Sequence, residues 1–238
     1  MLEGFGDTKR AMTPTGIFII FGLFGLLIIA GMIYSNIAAR KRREALFELA
    51  TRLGLDFSAA HDSQLADGYR FLNKLAQGSN RYAYNVLSGT YGGHRVLVFD
   101  YHYETHSTDS KGNQQTQHHH FSFFILLLPG VLPELKIYKE GLGSKIAQAF
   151  GYEDIDFESA EFSRQFCVRS KDKRFAYDVC NAQMIEYLMA NRDLNIELEA
   201  NALALAFGTC LAPDKIEENL ARLLQLRQLL PDYLFATP

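Results

Sequence analysis

The sequence has no tryptophan, only six prolines and only three cysteines. Cys167, Cys180 and Cys210 are odd in number and widely spaced, which argues against a disulfide framework and suits a reducing compartment. Low-complexity tracts and short-period repeats are also missing, which sets aside disorder and solenoids. There is no basic excess, since 24 Lys and Arg stand against 27 Asp and Glu, and this excludes nucleic acid as a general partner. No complete catalytic, nucleotide or metal motif is found. Ser88-Gly89 lacks the first glycine of a nucleophile elbow. Gly141-Leu142-Gly143-Ser144-Lys145 lacks the spacing of a phosphate loop. Asp154, Asp156 and Glu158 alternate as in a calcium loop, but Ser159 stands where glycine is needed and Gln165 where a bidentate glutamate is needed.

What the chain does have is one long apolar run. Ile17 to Tyr34 is uncharged, and at the helical rise it covers about 27 Å, close to the hydrocarbon thickness of a bilayer. Twelve of its residues are Ile, Leu or Phe. Their insertion free energy is on the order of −5 kcal/mol, enough for a stable span. A cleaved signal peptide would carry a basic lead-in, whereas here Glu3 and Asp7 offset Lys9 and Arg10. Behind the run come Arg40, Lys41, Arg42 and Arg43, which by the positive-inside rule place that side in the cytoplasm. The same four residues are candidates for contact with anionic lipid head groups. Gly22, Gly25 and Gly31 lack the four-residue spacing that packs spans together.

The expected organisation is a short extracytoplasmic tail over 1–16, a transmembrane helix over 17–35 and a basic juxtamembrane helix over 36–56. A cytoplasmic α+β domain follows over 57–238, either as one body or as two halves, 57–140 and 141–238. The implied location is the inner (plasma) membrane, single-pass, with the N-terminus outside.

Within the soluble part, Ala45, Leu46, Leu49, Ala50 and Leu53 form one helical stripe that Gly54 ends. Irregular chain with short helical pieces is expected from Phe57 to Asn80. Gly92-Gly93 permits the positive φ of a primed turn, so Tyr82–Tyr91 and His94–Thr105 read as a hairpin. A polar tip over Thr108–Gln117 leads to Phe121–Leu128 (FSFFILLL), a central strand bounded by Pro129-Gly130. Leu135–Tyr138 adds a short strand, Leu142–Phe150 a helix and Phe162–Val168 a strand. Asp172 caps a helix over Lys173–Asn191. Ile196–Leu198 and Leu203–Phe207 flank Ala200-Asn201 as a second hairpin, and Pro213 opens a last helix to Leu230. The sum is a mainly antiparallel sheet with helices packed on one side.

Asn85-Val86-Leu87-Ser88-Gly89-Thr90-Tyr91, Phe99-Asp100-Tyr101 with Tyr103, and Asp154-Ile155-Asp156-Phe157-Glu158-Ser159 with Glu161-Phe162 resemble a family of uncharacterised bacterial membrane-anchored proteins. The similarity spans most of residues 40 to 190. It implies an N-terminal anchor and a cytoplasmic domain, and it carries no activity, ligand or functional residue.

The densest chemistry lies around the polar tip, which His102, His106, His118 and His120 flank. Imidazole is the commonest transition-metal ligand. One strand register sets His106 opposite His118 and Glu104 opposite His120, putting these four candidate ligands on one face for zinc or another divalent ion. A two-residue Gly112-Asn113 turn sets His106 opposite His119 instead and breaks the arrangement, because a one-residue slip reverses every side chain. His102 and His106 make HxxxH without the HExxH glutamate, and on a strand they lie about 13 Å apart.

Two readings result. The first is a non-enzymatic, membrane-tethered interaction or scaffold module that needs no cofactor. Its partners are the lipid bilayer and a membrane-associated protein or a second copy of itself. The alternative is a metal-dependent enzyme or sensor built on the His102–His120 hairpin.

Overall fold

The computed structural model describes residues 14–139 and 154–235. The expected helix over Leu142–Phe150 and the Gly141–Lys145 loop lie outside them. The chain divides into two compact units, Met1–Glu44 and Ala45–Pro238.

The first unit is helical. Helix α1 (Pro14–Leu53) starts at a proline, whose missing N–H costs nothing at a first position, and runs without interruption past the basic cluster. It is long and apolar enough to cross a membrane. Ten large apolar side chains between Leu23 and Ile37 are 49–76% exposed, so nothing among the described residues shields them from solvent. Bilayer lipid would supply that cover.

The helix ends in a Schellman motif. Gly54 takes φ +68°, its N–H donates to the Thr51 carbonyl at 3.3 Å, and the Leu55 N–H reaches back to the Ala50 carbonyl at 2.9 Å. The last turns contribute Leu46, Leu49 and Ala50 to the core of the second unit.

That unit is a six-stranded, fully antiparallel sheet with helices, an α+β fold. Strands β1 (Asp56–Ser58), β2 (Ser79–Tyr91), β3 (His94–Thr108) and β4 (Gln114–Lys139) are consecutive neighbours. Gly92 and Gly93 take φ +57° and +82° in the β2–β3 turn, as that turn type demands. β4 continues through Pro129-Gly130 and absorbs the strand expected separately at Leu135–Tyr138. Its first half pairs with β3 and its second half with β5 (Phe166–Ser170), while β6 (Ile196–Ala206) lines its other edge.

β6 is a single strand, not the second hairpin expected from the sequence. Ala200 takes φ +51° inside the continuous strand, and the β4–β6 register shifts on both sides of its partner Leu132, so a bulge whose extra residues lie on β4, and not a turn, falls there. The bulge switches the phase of alternation. Ile196 and Leu198 before it, and Leu203 and Leu205 after it, all join one core cluster.

Helix α2 (Ser63–Gly68) is capped by Asp62, whose carboxylate accepts from the Leu65 N–H at 2.8 Å. Helix α3 (Ala160–Gln165), capped by Ser159, replaces the first half of the strand expected at Phe162–Val168. The helix expected over Lys173–Asn191 is two, α4 (Lys173–Val179) and α5 (Ala182–Ala190), because Asn181 caps the second by accepting from the Met184 N–H at 3.0 Å. Helix α6 (Ile216–Leu229) closes the layer after a short 3₁₀ turn at Pro213–Lys215.

The large core lies between one sheet face and helices α3 to α6, with the end of α1. A smaller cluster on the opposite face packs Ala66 of α2, with Leu72 and Leu75 from the turns after it, against Phe99, Tyr101, Phe121 and Phe123.

Candidate functional site

Along β3 and β4 the face covered by the helical layer turns polar toward the hairpin tip. Val98 and Phe124 belong to the core, and the pairs beyond them are Asp100 with Ser122, His102 with His120, Glu104 with His118 and His106 with Thr116. The tip that fixes this register is a closed loop. The Gly112 N–H donates to the Asp109 carbonyl at 3.0 Å, and the Asp109 carboxylate accepts from the N–H groups of Lys111 and Asn113 at 2.8 and 2.9 Å. The partners are thus displaced by two residues from the register that sets His106 opposite His118. Two residues is an even step, so the same side chains still share a face.

Asp100 and Ser122 form the border between core and site. The Asp100 carboxylate accepts from the Asn85 amide and the Ser122 hydroxyl, both at 2.9 Å, and the Ser122 oxygen accepts from the Leu211 N–H at 2.9 Å. Next outward lies His102, only 3% exposed. Tyr82 stacks on its ring at 4.5 Å, and His61 stacks on the other side of Tyr82 at 4.1 Å. His102 Nδ1 lies 3.0 Å from the Asn80 carbonyl oxygen, and its Nε2 lies 3.1 Å from His118 Nδ1. His118 Nδ1 is in turn 3.4 Å from Glu104 Oε1, which also accepts from the Asn80 side-chain amide at 2.6 Å. That amide hydrogen bond, with the neighbouring imidazoles, holds the Glu104 carboxyl below its usual range, against the opposing effect of desolvation. One ligand atom from each of His102, Glu104 and His118 falls within a group no wider than 4.8 Å.

The remaining histidines are engaged elsewhere. His106 contacts the Ser79 and Thr116 hydroxyls, each at 3.0 Å. His120 Nδ1 lies 3.1 Å from the Tyr84 hydroxyl, and burial, followed by the adjacent His102 and His118, pushes its pKa down. His119 points to the opposite face, stacked on Tyr103 at 4.4 Å and bonded to Thr105 at 2.8 Å. Of the candidate ligands His106, His118, His120 and Glu104, the structure therefore groups Glu104 with His118, and the third member of that group is His102. Sequence reasoning placed His102 beside the tip but could not find Asn80, whose role depends on φ +48° at a register shift between Ser79 and Tyr82.

Arg40 to Arg43 lie on α1. Arg40 pairs with Glu44 at 2.8 Å, and Lys41 and Arg43 are exposed. The aspartate set at Asp154 is an ion pair: its carboxylate accepts from Arg169 Nε at 2.6 Å and from the Cys167 thiol at 2.7 Å. A separate shallow cleft between Ala45, Glu48, Leu49, Arg52, Pro213 and Asp214 is bordered by the Arg52–Glu217 ion pair.

No family model matches this chain, and no curated protein matches it. Among solved structures, the crystal structure of the mycobacterial trehalose monomycolate transport factor A, TtfA, is similar with a TM-score of 0.56. The two are 16% identical over 81% of this chain and 96% of that one, so what they share is the fold.

Proposed function

We propose that this chain is a bacterial, membrane-tethered accessory module without catalytic chemistry of its own, and that it serves a membrane-embedded transport or assembly machine. The observation that carries this reading is helix α1. It bears an uncovered apolar surface from Leu23 to Ile37 and also supplies Leu46, Leu49 and Ala50 to a folded core. The shared fold with a transport factor supports the accessory role.

In this reading α1 crosses the inner (plasma) membrane once, and the basic run Arg40–Arg43 keeps the α+β domain in the cytoplasm. Lys41, Arg42 and Arg43, with Arg40, lie against anionic head groups, each contributing about 1 kcal/mol near the surface. The partner is a membrane-associated protein or a second copy of this chain.

In-cell photocrosslinking tests both contacts in the full-length protein. A photoreactive residue at Lys41 is expected to capture lipid. The same residue in the tip at Lys111, or on α6 at Gln225, is expected to capture one reproducible protein. Lipid alone at all three positions would count against an interaction module, and protein alone at Lys41 would count against the head-group contact.

A further inference from the structure

We propose that the β3–β4 hairpin is a binding site for a divalent first-row transition metal ion of the zinc class, held by His102 Nε2, His118 Nδ1 and the Glu104 carboxylate with one coordination position left open. A backbone carbonyl only accepts, so the 3.0 Å contact from Asn80 O assigns the proton of neutral His102 to Nδ1. Its Nε2 lone pair then points at His118 Nδ1, 3.1 Å away. That is the arrangement of a metal-ligating histidine, whose second ring nitrogen donates to a carbonyl that fixes tautomer and ring orientation.

Distances support the same conclusion. Tetrahedral zinc with bonds of about 2.0–2.2 Å separates neighbouring ligand atoms by about 3.3–3.6 Å. The observed separations are 3.1 Å between the two imidazole nitrogens and 3.4 Å from His118 Nδ1 to Glu104 Oε1. These two lie within a few tenths of an ångström of the tetrahedral values, and the third pair, His102 with Glu104, lies within 4.8 Å, so an ion draws the three ligands together with His118 shifting its proton to Nε2. Two imidazoles and a carboxylate suit zinc and its neighbours, and they leave the fourth place to water or a substrate group.

The ligands are also held by a neighbouring strand. Asn80 holds two of the three at once, through its carbonyl to His102 and its side-chain amide to Glu104. It does so from a left-handed backbone, φ +48°, at an irregularity in the β2–β3 ladder. Asparagine takes this conformation more readily than other residues with side chains, and bulges that re-aim a residue cluster beside functional sites. Tyr82, stacked on His102, closes the inner side.

The test uses full-length protein in detergent, free of any histidine tag, stripped with chelator and titrated with Co²⁺ and Zn²⁺. One equivalent of Co²⁺ with the intense visible bands of a four-coordinate ion is expected, together with a zinc-dependent rise in melting temperature. His118→Ala and Glu104→Gln, at positions outside the core, should weaken binding at least 100-fold and abolish the rise. Asn80→Gly keeps the backbone conformation and carbonyl but loses the amide, and should weaken binding about 10-fold with one equivalent still bound. His106→Ala and His94→Ala should bind as the parent does. Because His102 is buried, His102→Ala is read only where its circular dichroism matches the parent. Binding that survives His118→Ala and Glu104→Gln together, or less than a tenth of an equivalent in the parent, would overturn the site.

Discussion

Glu197 is a buried carboxylate on β6, and its environment makes a quantitative prediction about pH. It pairs across the ladder with Lys136 on β4, and its carboxylate accepts from the Lys74 N–H at 3.0 Å. Desolvation is nonetheless the largest influence, and it pushes the pKa from an ordinary 4.5 up to about 7, against the opposing pull of Lys136 and of the backbone N–H groups of Lys74 and Asn73. A raised carboxyl pKa means that the folded state binds more protons than the unfolded one between those two values. Stability therefore falls as pH rises from about 4.5 and levels off above about 7. The full displacement corresponds to about 3 kcal/mol. Glu197→Gln keeps the shape and cannot ionise, so its stability relative to the parent should climb by roughly that amount between pH 5 and pH 8. Other carboxylates titrate in both proteins and cancel in the difference. Urea unfolding at each pH, followed by tyrosine fluorescence because the chain has no tryptophan, measures it. Parallel pH curves for the two proteins would refute the claim that Glu197 is a proton-binding site of the fold.

Two further predictions concern backbone and thiols. Gly78 takes φ +62°, and a β-carbon there would meet the Glu104 carbonyl oxygen at 2.2 Å and Tyr103 Cδ2 at 2.6 Å. Gly78→Ala should cost about 3 kcal/mol or more in denaturant unfolding, whereas Gly93→Ala, at φ +82° with open space around it, should cost about 1–2 kcal/mol. Equal losses would mean that the overlap with β3 is relieved by a small shift. Burial raises the thiol pKa of Cys167 to about 11 and of Cys180 to about 12, with the Asp154 carboxylate adding to the first. Maleimide at neutral pH should therefore label Cys210 in the folded protein and reach the other two only on unfolding, as read by peptide mass analysis. Early modification of Cys180 would show that the end of α4 and its surroundings open readily.

Some of this was legible in the chain. Gly54 as a helix stop, Gly92-Gly93 as a primed turn and Phe121–Leu128 as a buried strand are all found in the structure, although that strand runs on past the Pro129-Gly130 boundary expected for it. The misreadings share a cause. At Ala200 in β6 and between Leu132 and Leu135 in β4 the alternation of apolar residues changes phase, and a phase change is compatible with either a turn or a bulge. Which one forms depends on the partner strand, which no local window contains. Asn181 likewise caps a helix within a stretch whose apolar spacing runs on unbroken. At the candidate site, the face shared by the histidines could be read because any even register preserves it. The grouping of His102 with Glu104 and His118 could not, since it depends on the loop closed by Asp109 and on the backbone of Asn80.

The length of β4 bears on how the protein is made. Its apolar segment is completed on one side by β3 just before it, but the other side waits for β6, with Phe123 paired to Ala206 some eighty residues later. At about 5–20 residues per second of synthesis, that edge stays open for roughly 4–16 seconds. During that interval the nascent chain carries both a membrane-seeking helix and an unpaired strand of sequence FSFFILLL, which is prone to add to other strand edges. Slowing translation between Lys139 and Leu203 should therefore raise the aggregated fraction, and early engagement of α1 by the membrane would keep neighbouring nascent chains apart while the sheet is completed.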